Sequence, residues 1–379
     1  MTITQLISKY RHINIVLLGL LVLSGCTSIG AKKLPEDRFN YNAAIVQSRN
    51  EQMLLNLVRL RYVEIPDFLR VSSVITSYSY QGNIGVGTTQ AEGDSVPDLF
   101  RGDANLSYSQ QPTITYIPLA GQEFALRMFR PIPVNALFTL GDADWQVDIL
   151  LQIMLQRIND VENMSFAQLP SPGQMDKVQR FQREMEKLKR FQRVLKRLIL
   201  LLDNQALEVY QARQMEDERQ PSLTVRFKRD LPANIQALSD ELRHELNLDS
   251  DIDDFVITER LMRREADEIT IKSRSLMSVM SFLSRGIDVP KQDRDDGRVV
   301  ALPPMVREEI LALLPLHVHT QKQRPQDPYV AVRYRNDWFY IDHSDIKSKR
   351  TFAAIQVLFQ LAAPTGRGVA PVLTLPAGR

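Results

Sequence analysis

Residues 73–88 read SVITSYSYQGNIGVGT, and residues 104–116 read ANLSYSQQPTITY. In both stretches the even positions carry most of the apolar and aromatic side chains, among them Val74, Tyr78, Tyr80, Ile84, Leu106, Tyr108, Ile114 and Tyr116. The odd positions are mainly Ser, Thr, Asn, Gln and Gly. Successive side chains of an extended strand point to opposite faces, so the text predicts two strands, each with one apolar face and one small polar face. Residues 89–103 between them are rich in Gly and Asp, which lets the strands pair as a hairpin over 73–116.

Upstream of this hairpin, Val46, Met53, Leu54, Leu57 and Leu60 fall on one stripe, predicting a helix from about Asn42 to Tyr62 that Pro66 ends. Downstream, helical text covers Gln122 to Phe129, is broken by Pro131-Ile132-Pro133, and continues to about Ile158. Residues 167–173 carry Pro170, Pro172 and Gly173 and read as a linker. The longest helix follows, roughly Gln174 to Asp203. Its Val178, Phe181, Met185, Leu188, Gln192, Leu195, Ile199 and Leu202 repeat at alternating steps of three and four, a heptad seam with one polar member. Such a seam packs on the same chain's helices or joins a partner. Between Asp176 and Arg197 nine basic residues stand against three acidic ones. That face is either solvated or turned toward an acidic partner or anionic lipid.

The remainder reads as an α+β domain. Strands are expected at 207–212, 223–227, 255–258 and 268–272, and helices at 234–246 and 276–283. A hairpin of 329–335 and 338–342 turns at Asn336-Asp337. A closing helix from Ser344 as N-cap to about Ala362 follows, with Phe352 and Phe359 buried. The fold class is therefore α+β: N-terminal helices with a long β-hairpin over 37–166, a linker and long heptad-like helix over 167–203, and a C-terminal α+β domain over 204–379.

Residues 1–12 carry Lys9, Arg11 and His12 without an acid, and an apolar run from Ile13 to Leu23 follows, the pattern of a signal peptide over 1–25. The run of about 11 residues is too short for a bilayer-spanning helix, which needs roughly 20. Leu23-Ser24-Gly25-Cys26 resembles the bacterial lipobox, which implies cleavage between Gly25 and Cys26 and acylation of Cys26 with diacylglycerol and an N-acyl chain. At about 0.8 kcal/mol per buried methylene, more than one chain anchors stably. By the enterobacterial sorting rule, Thr27 looks like an outer-membrane address, and residues 26–36 read as a lipidated tether. Residues 50–62, Pro112-Thr113-Ile114-Thr115-Tyr116 and Lys347-Ser348-Lys349-Arg350-Thr351-Phe352 resemble stretches of an uncharacterised family of proteobacterial lipoproteins. That resemblance brings no assigned activity.

The composition sets further bounds. With 379 residues and 44% apolar side chains the chain can bury a core. It has 47 basic and 45 acidic residues, and loss of Lys9 and Arg11 with the signal peptide leaves 45 of each. Balanced charge gives no electrostatic reason for a nucleic acid partner. Cys26 is the one cysteine, which excludes an intrachain disulfide and any Cys-based zinc site.

Signals for chemistry are sparse. His317-Val318-His319 sets two imidazoles on one face of a strand, a start for a metal site, but no third ligand stands at motif spacing, so edge-strand or surface histidines are expected. Asp342-His343-Ser344 holds the residue types of a hydrolase triad, yet triads are assembled from separated segments, so a helix cap is expected. Gly82, Gly85 and Gly87 sit inside an alternating strand with no Gly-Lys-Ser/Thr after them and do not form a phosphate loop. No catalytic residue, cofactor or metal is assigned. The expected function is a non-catalytic scaffolding or assembly role at the outer membrane, with lipid held through Cys26 and self-association or an envelope protein contacted through the 178–202 helix. The alternatives are an oligomeric channel subunit that inserts the 73–116 hairpin, and an enzyme acting on envelope material.

Overall fold

The computed structural model describes residues 29–89, 99–142, 146–164, 177–212, 222–260, 262, 265–300, 304–362 and 373–376. In chain order the first elements are α1 (Ile29–Arg61), β1 (Leu69–Thr89), β2 (Leu99–Pro118), α2 (Gln122–Phe129), α3 (Val134–Asp142), α4 (Val147–Met154), β3 (Leu155–Ile158) and β4 (Val161–Glu162). Then come α5 (Lys177–Asp203), β5 (Leu207–Ala212), β6 (Ser222–Phe227), α6 (Ala233–Glu245), β7 (Asp254–Thr258), β8 (Glu268–Ser273) and α7 (Leu276–Leu283). The last are α8 (Lys291–Asp295), α9 (Pro304–Leu313), β9 (His319–Gln321), β10 (Pro328–Tyr334), β11 (Asp337–Asp342), α10 (Ile346–Ala362) and β12 (Leu373–Pro376). The class is α+β, as the sequence predicts.

The contacts divide the chain differently from the expected borders at 166 and 203. One unit takes the described residues up to Arg49, Leu69–Ile117 and β12; the other takes Asn50–Phe68 and the described residues from Pro118 through α10. The cause is that the expected linker is followed by a helix that packs back on α4 and α6 in the larger unit. Within the expected tether over 26–36, the described residues from Ile29 belong to α1, which passes through Pro35. Ala31, Lys32, Lys33 and Leu34 are all strong helix formers.

In the smaller unit β1, β2 and β12 form a three-stranded sheet in that order. The two long strands have 21 and 20 residues, outrunning the predicted ends on both sides. The third strand pairs antiparallel with the end of β2, Leu373 opposite Tyr116 and Pro376 opposite Thr113. Asn105, Ser107, Ser109 and Gln111 are exposed, as the polar face requires, but at the end of the strand Thr115 and Ile117 on that same face are buried. The side chains of Tyr78, Tyr80 and Tyr108 lie outside the described part.

The larger unit holds a six-stranded sheet in the order β4-β3-β8-β7-β6-β5. Its neighbours run antiparallel except the parallel pair β7 and β8. Register aligns the alternating apolar residues in rows: Val209 faces Val225, which faces Phe255; Ile257 faces Ile269; and Ile271 faces Ile158. The helix expected to reach Ile158 stops at Met154, and a tight hairpin follows in which Asn159 has φ +45°. Asn159 is held by Thr270 N–H, which donates to its Oδ1 at 2.8 Å, and by its own Nδ2, which donates to Leu246 O at 2.8 Å.

Arg274, between β8 and α7, is 4% exposed, and among the described residues its hydrogen bonds reach no carboxylate. Its guanidinium donates to the carbonyls of Gln152, Ile153, Leu155 and Met164 and lies 4.2 Å from the Phe282 ring centroid. Burial pushes its pKa down to about 9.

A second, antiparallel sheet in the same unit has the order β10-β11-β9. Its tight turn lies at Arg335-Asn336 rather than Asn336-Asp337, since Tyr334 pairs Asp337 and Arg335 takes φ +53°. In α10, Phe352 is fully buried, whereas Phe359 is half-buried against Phe68 and Phe124. Met53, Leu54, Leu57 and Val58 of α1 are buried, while Val46 on the predicted stripe is 41% exposed. Asn56 of the same helix clamps the chain that leaves it, donating to Asp67 O at 2.6 Å and accepting from Asp67 N at 3.0 Å.

Candidate functional site

The larger unit brings His317 and His319 together with a residue that no spacing signal reveals, Asp288. The two imidazole centroids are 4.1 Å apart, and His317 Nε2 lies 3.1 Å from Asp288 Oδ2. One ligand atom from each of the three residues falls within 4.8 Å of the others. The backbone accounts for this meeting. Ile287 and Val318 form a parallel bridge in which Asp288 N donates to Val318 O at 2.8 Å and Val318 N donates to Gly286 O at 3.0 Å. Gly286 makes the approach feasible, because a Cβ there would stand 1.9 Å from Leu316 O.

Two imidazoles and a carboxylate are donors suited to a divalent transition metal. Here the carboxylate is already engaged at both oxygens, since Arg307 Nη2 donates to Oδ1 at 2.7 Å. A cation would have to displace the His317 contact and sit beside a guanidinium. Burial raises the pKa of Asp288, but the hydrogen bonds and charges of His317 and Arg307 outweigh it and hold the carboxyl below its ordinary value. Burial, then the charge of His317, lowers the pKa of His319, which lies on the edge strand β9 as expected of an edge-strand histidine. The cluster is thus a half-buried ionic network.

Asp342, His343 and Ser344 form no triad. Asp342 Oδ1 accepts from Ser344 N at 2.8 Å and Ser344 Oγ at 2.6 Å, which closes a turn, and His343 is exposed. The α10 cap is Asp345 rather than Ser344: its Oδ1 accepts from Ser348 N at 3.0 Å. Gly25 and Cys26 lie outside the described residues.

The heptad seam of α5 turns inward. Met185, Leu188 and Leu195 are buried in the unit's own core, and Gln192 Nε2 donates to Leu313 O at 2.8 Å. The basic face is met by acids of the same unit. Lys187 pairs with Glu162 at 2.8 Å, Lys189 with Glu309 at 2.6 Å, and Arg197 with Glu241 at 2.6 Å.

A second feature was not legible in the sequence. Between α5 and the six-stranded sheet lies a cavity of about 350 Å³. Val194, Leu198 and Leu202, one stripe at steps of four, form its roof. Leu207, Val225, Ile257, Ile269, Ile271 and Ile158 contribute to its floor from five adjacent strands, and α4 and α6 close its sides with Leu151 and Leu242. Among the described residues every side chain lining it is apolar.

Among the described residues no helix is long and apolar enough to cross a membrane. Comparison with models of protein families, with curated proteins and with solved structures finds no match for this chain.

Proposed function

We propose that the chain is a lipoprotein held at the periplasmic face of the outer membrane through acylated Cys26, with a non-catalytic scaffolding or assembly role. The form of the smaller sheet supports the assembly part of this reading. Its long strands have 21 and 20 residues, about four times the usual length, and among the described residues β12 covers β2 over four positions only. A strand edge that is unpaired along most of such a length is a template for another strand. Exposed Asn105, Ser107, Ser109 and Gln111 keep one face compatible with water while that edge recruits a partner.

The native mass of the detergent-extracted protein, measured beside Cys26→Ser, tests both halves. An assembly larger than one chain is expected, and the variant is expected to leave the outer-membrane fraction. A wild-type monomer with no partner ends the assembly role. A variant that still fractionates with outer membrane and still loses its first 25 residues ends the anchor.

A second reading, an oligomeric channel subunit inserting the 73–116 hairpin, draws on strand length and charge. An outer-membrane strand needs about 9–11 residues, and the charged residues of the two strands are confined to Arg70, Arg101 and Asp103, each among the first five residues of its strand. One hairpin cannot close a barrel, so insertion demands a ring of copies. Unitary conductance steps in a planar bilayer are expected on this reading alone, and their absence returns the hairpin to a soluble role.

A further inference from the structure

We infer that the cavity between α5 and the six-stranded sheet is a binding site for one long acyl chain. The lining decides the chemistry. Every described wall residue is apolar, so a buried polar group on an occupant would lose its water without gaining a partner there. Water itself needs two to four polar partners and finds no side chain to supply them. The occupant is therefore hydrocarbon along its buried length.

Shape narrows the class further. The floor crosses β3, β8, β7, β6 and β5, four spacings of ~4.8 Å and hence ~19 Å from end to end. A volume of about 350 Å³ drawn out over that length is long and thin; for scale, a compact cavity of ~150 Å³ holds a benzene ring. An extended alkyl chain has that form, whereas a compact ring leaves most of the length empty. Val147, Leu198, Leu202, Val209 and Ile257 line the space yet are only half-buried. The space is thus not sealed from solvent, and a chain within it can keep its polar head in water. The site is independent of the assembly role proposed above, which belongs to the other unit.

Two sources supply such a chain: a separate lipid or fatty acid, and the acyl groups that the lipobox reading places on Cys26. The full chain with Cys26→Ser, stripped of lipid, is titrated with the fluorescent fatty acid cis-parinaric acid. Saturable binding of one probe per chain, displaced by hexadecanoic acid, is expected. Leu198→Trp and Val225→Phe fill the space; each is expected to keep or raise the Tm while weakening the probe at least tenfold. Acylated wild type then separates the sources, with the site blocked if its own anchor fills it and open after delipidation if another lipid does. The proposal is overturned if Cys26→Ser binds no probe saturably, or if both folded filling variants bind it unchanged. Should both variants fail to fold, binding of several probes per chain, or no displacement by hexadecanoic acid, overturns it equally.

Discussion

The three-stranded sheet β1-β2-β12 and the six-stranded sheet β4-β3-β8-β7-β6-β5 both rest on alternating text, and they dispose of it in opposite ways. The larger sheet uses strands of two to six residues, with α4, α5 and α6 walling the space above its apolar rows. The smaller one has strands of 21 and 20 residues and a partner strand of four. Alternation specifies two faces but says nothing of what covers them. Coverage comes from helices placed elsewhere in the chain, or from other strands. One sheet is thus expected to owe its stability to its own unit at any concentration, and the other to company.

The sharpest way to break this contrast is Arg274→Met, which strips four carbonyls of their charged donor, three of them in buried hydrogen bonds. A loss of about 5 kcal/mol is expected, read as a lower urea midpoint that does not depend on protein concentration. Concentration dependence would show that the larger unit, too, is stabilised by association. Next comes Phe352→Ala, which empties a fully buried site beneath Tyr329, whose ring centroid lies 6.1 Å away; about 4 kcal/mol should be lost. Phe359→Ala removes a half-buried ring 4.4 Å from Phe68, and about 2 kcal/mol is expected. Equal effects for the two phenylalanines would refute the difference in their burial.

Asp288→Asn is expected to cost about 1 kcal/mol at neutral pH, since the Arg307 pair is partly exposed. The sign follows from the depressed carboxyl pKa. The wild-type contribution is complete above the ordinary 3.8 and fades as pH falls through the lower folded value. Thermal unfolding at pH 7 and pH 3 should therefore show the gap between the two proteins closing at pH 3. The smallest effect on stability, under about 0.5 kcal/mol, belongs to Ser107→Lys with Ser109→Lys on the exposed face of β2. Charge at a strand face resists pairing with neighbours, so this variant sharpens the contrast: native mass should fall while the melting of the larger unit stays put.

Much of the fold was legible because period and punctuation agreed. Strand 207–212 and helix 276–283 have the predicted ends, and the long helix ends at the predicted Asp203. The text failed where period is silent. Leu150, Leu151, Ile153, Met154 and Leu155 form a nearly continuous apolar run that fits a helix and a buried strand alike. Asn159-Asp160, the turn between β3 and β4, was the available signal that the run ends in a strand pair. Asp288 lies 29 residues from His317 and meets it through a bridge that Gly286 permits, a matter of tertiary approach. The cavity was equally hidden, since each wall residue taken alone reads as ordinary core. Asp345 in place of Ser344 as the cap is a one-residue difference of the kind that helix ends commonly show.

The hold of Asn159 on Thr270 spans 111 residues of sequence. Strand β3 is therefore made early but cannot find β8 until the intervening helices and strands exist, and closing a loop of that length costs on the order of 4 kcal/mol of chain entropy. Until then, the apolar residues of β3 and α4 have no sheet to join. A chain released before Glu268 would lack the central strand altogether, leaving β3–β4 and β5–β7 as separate fragments. The order of synthesis thus makes the late seam, rather than any single helix, the step that commits the larger unit to its fold, and high contact order of this kind makes that step slow.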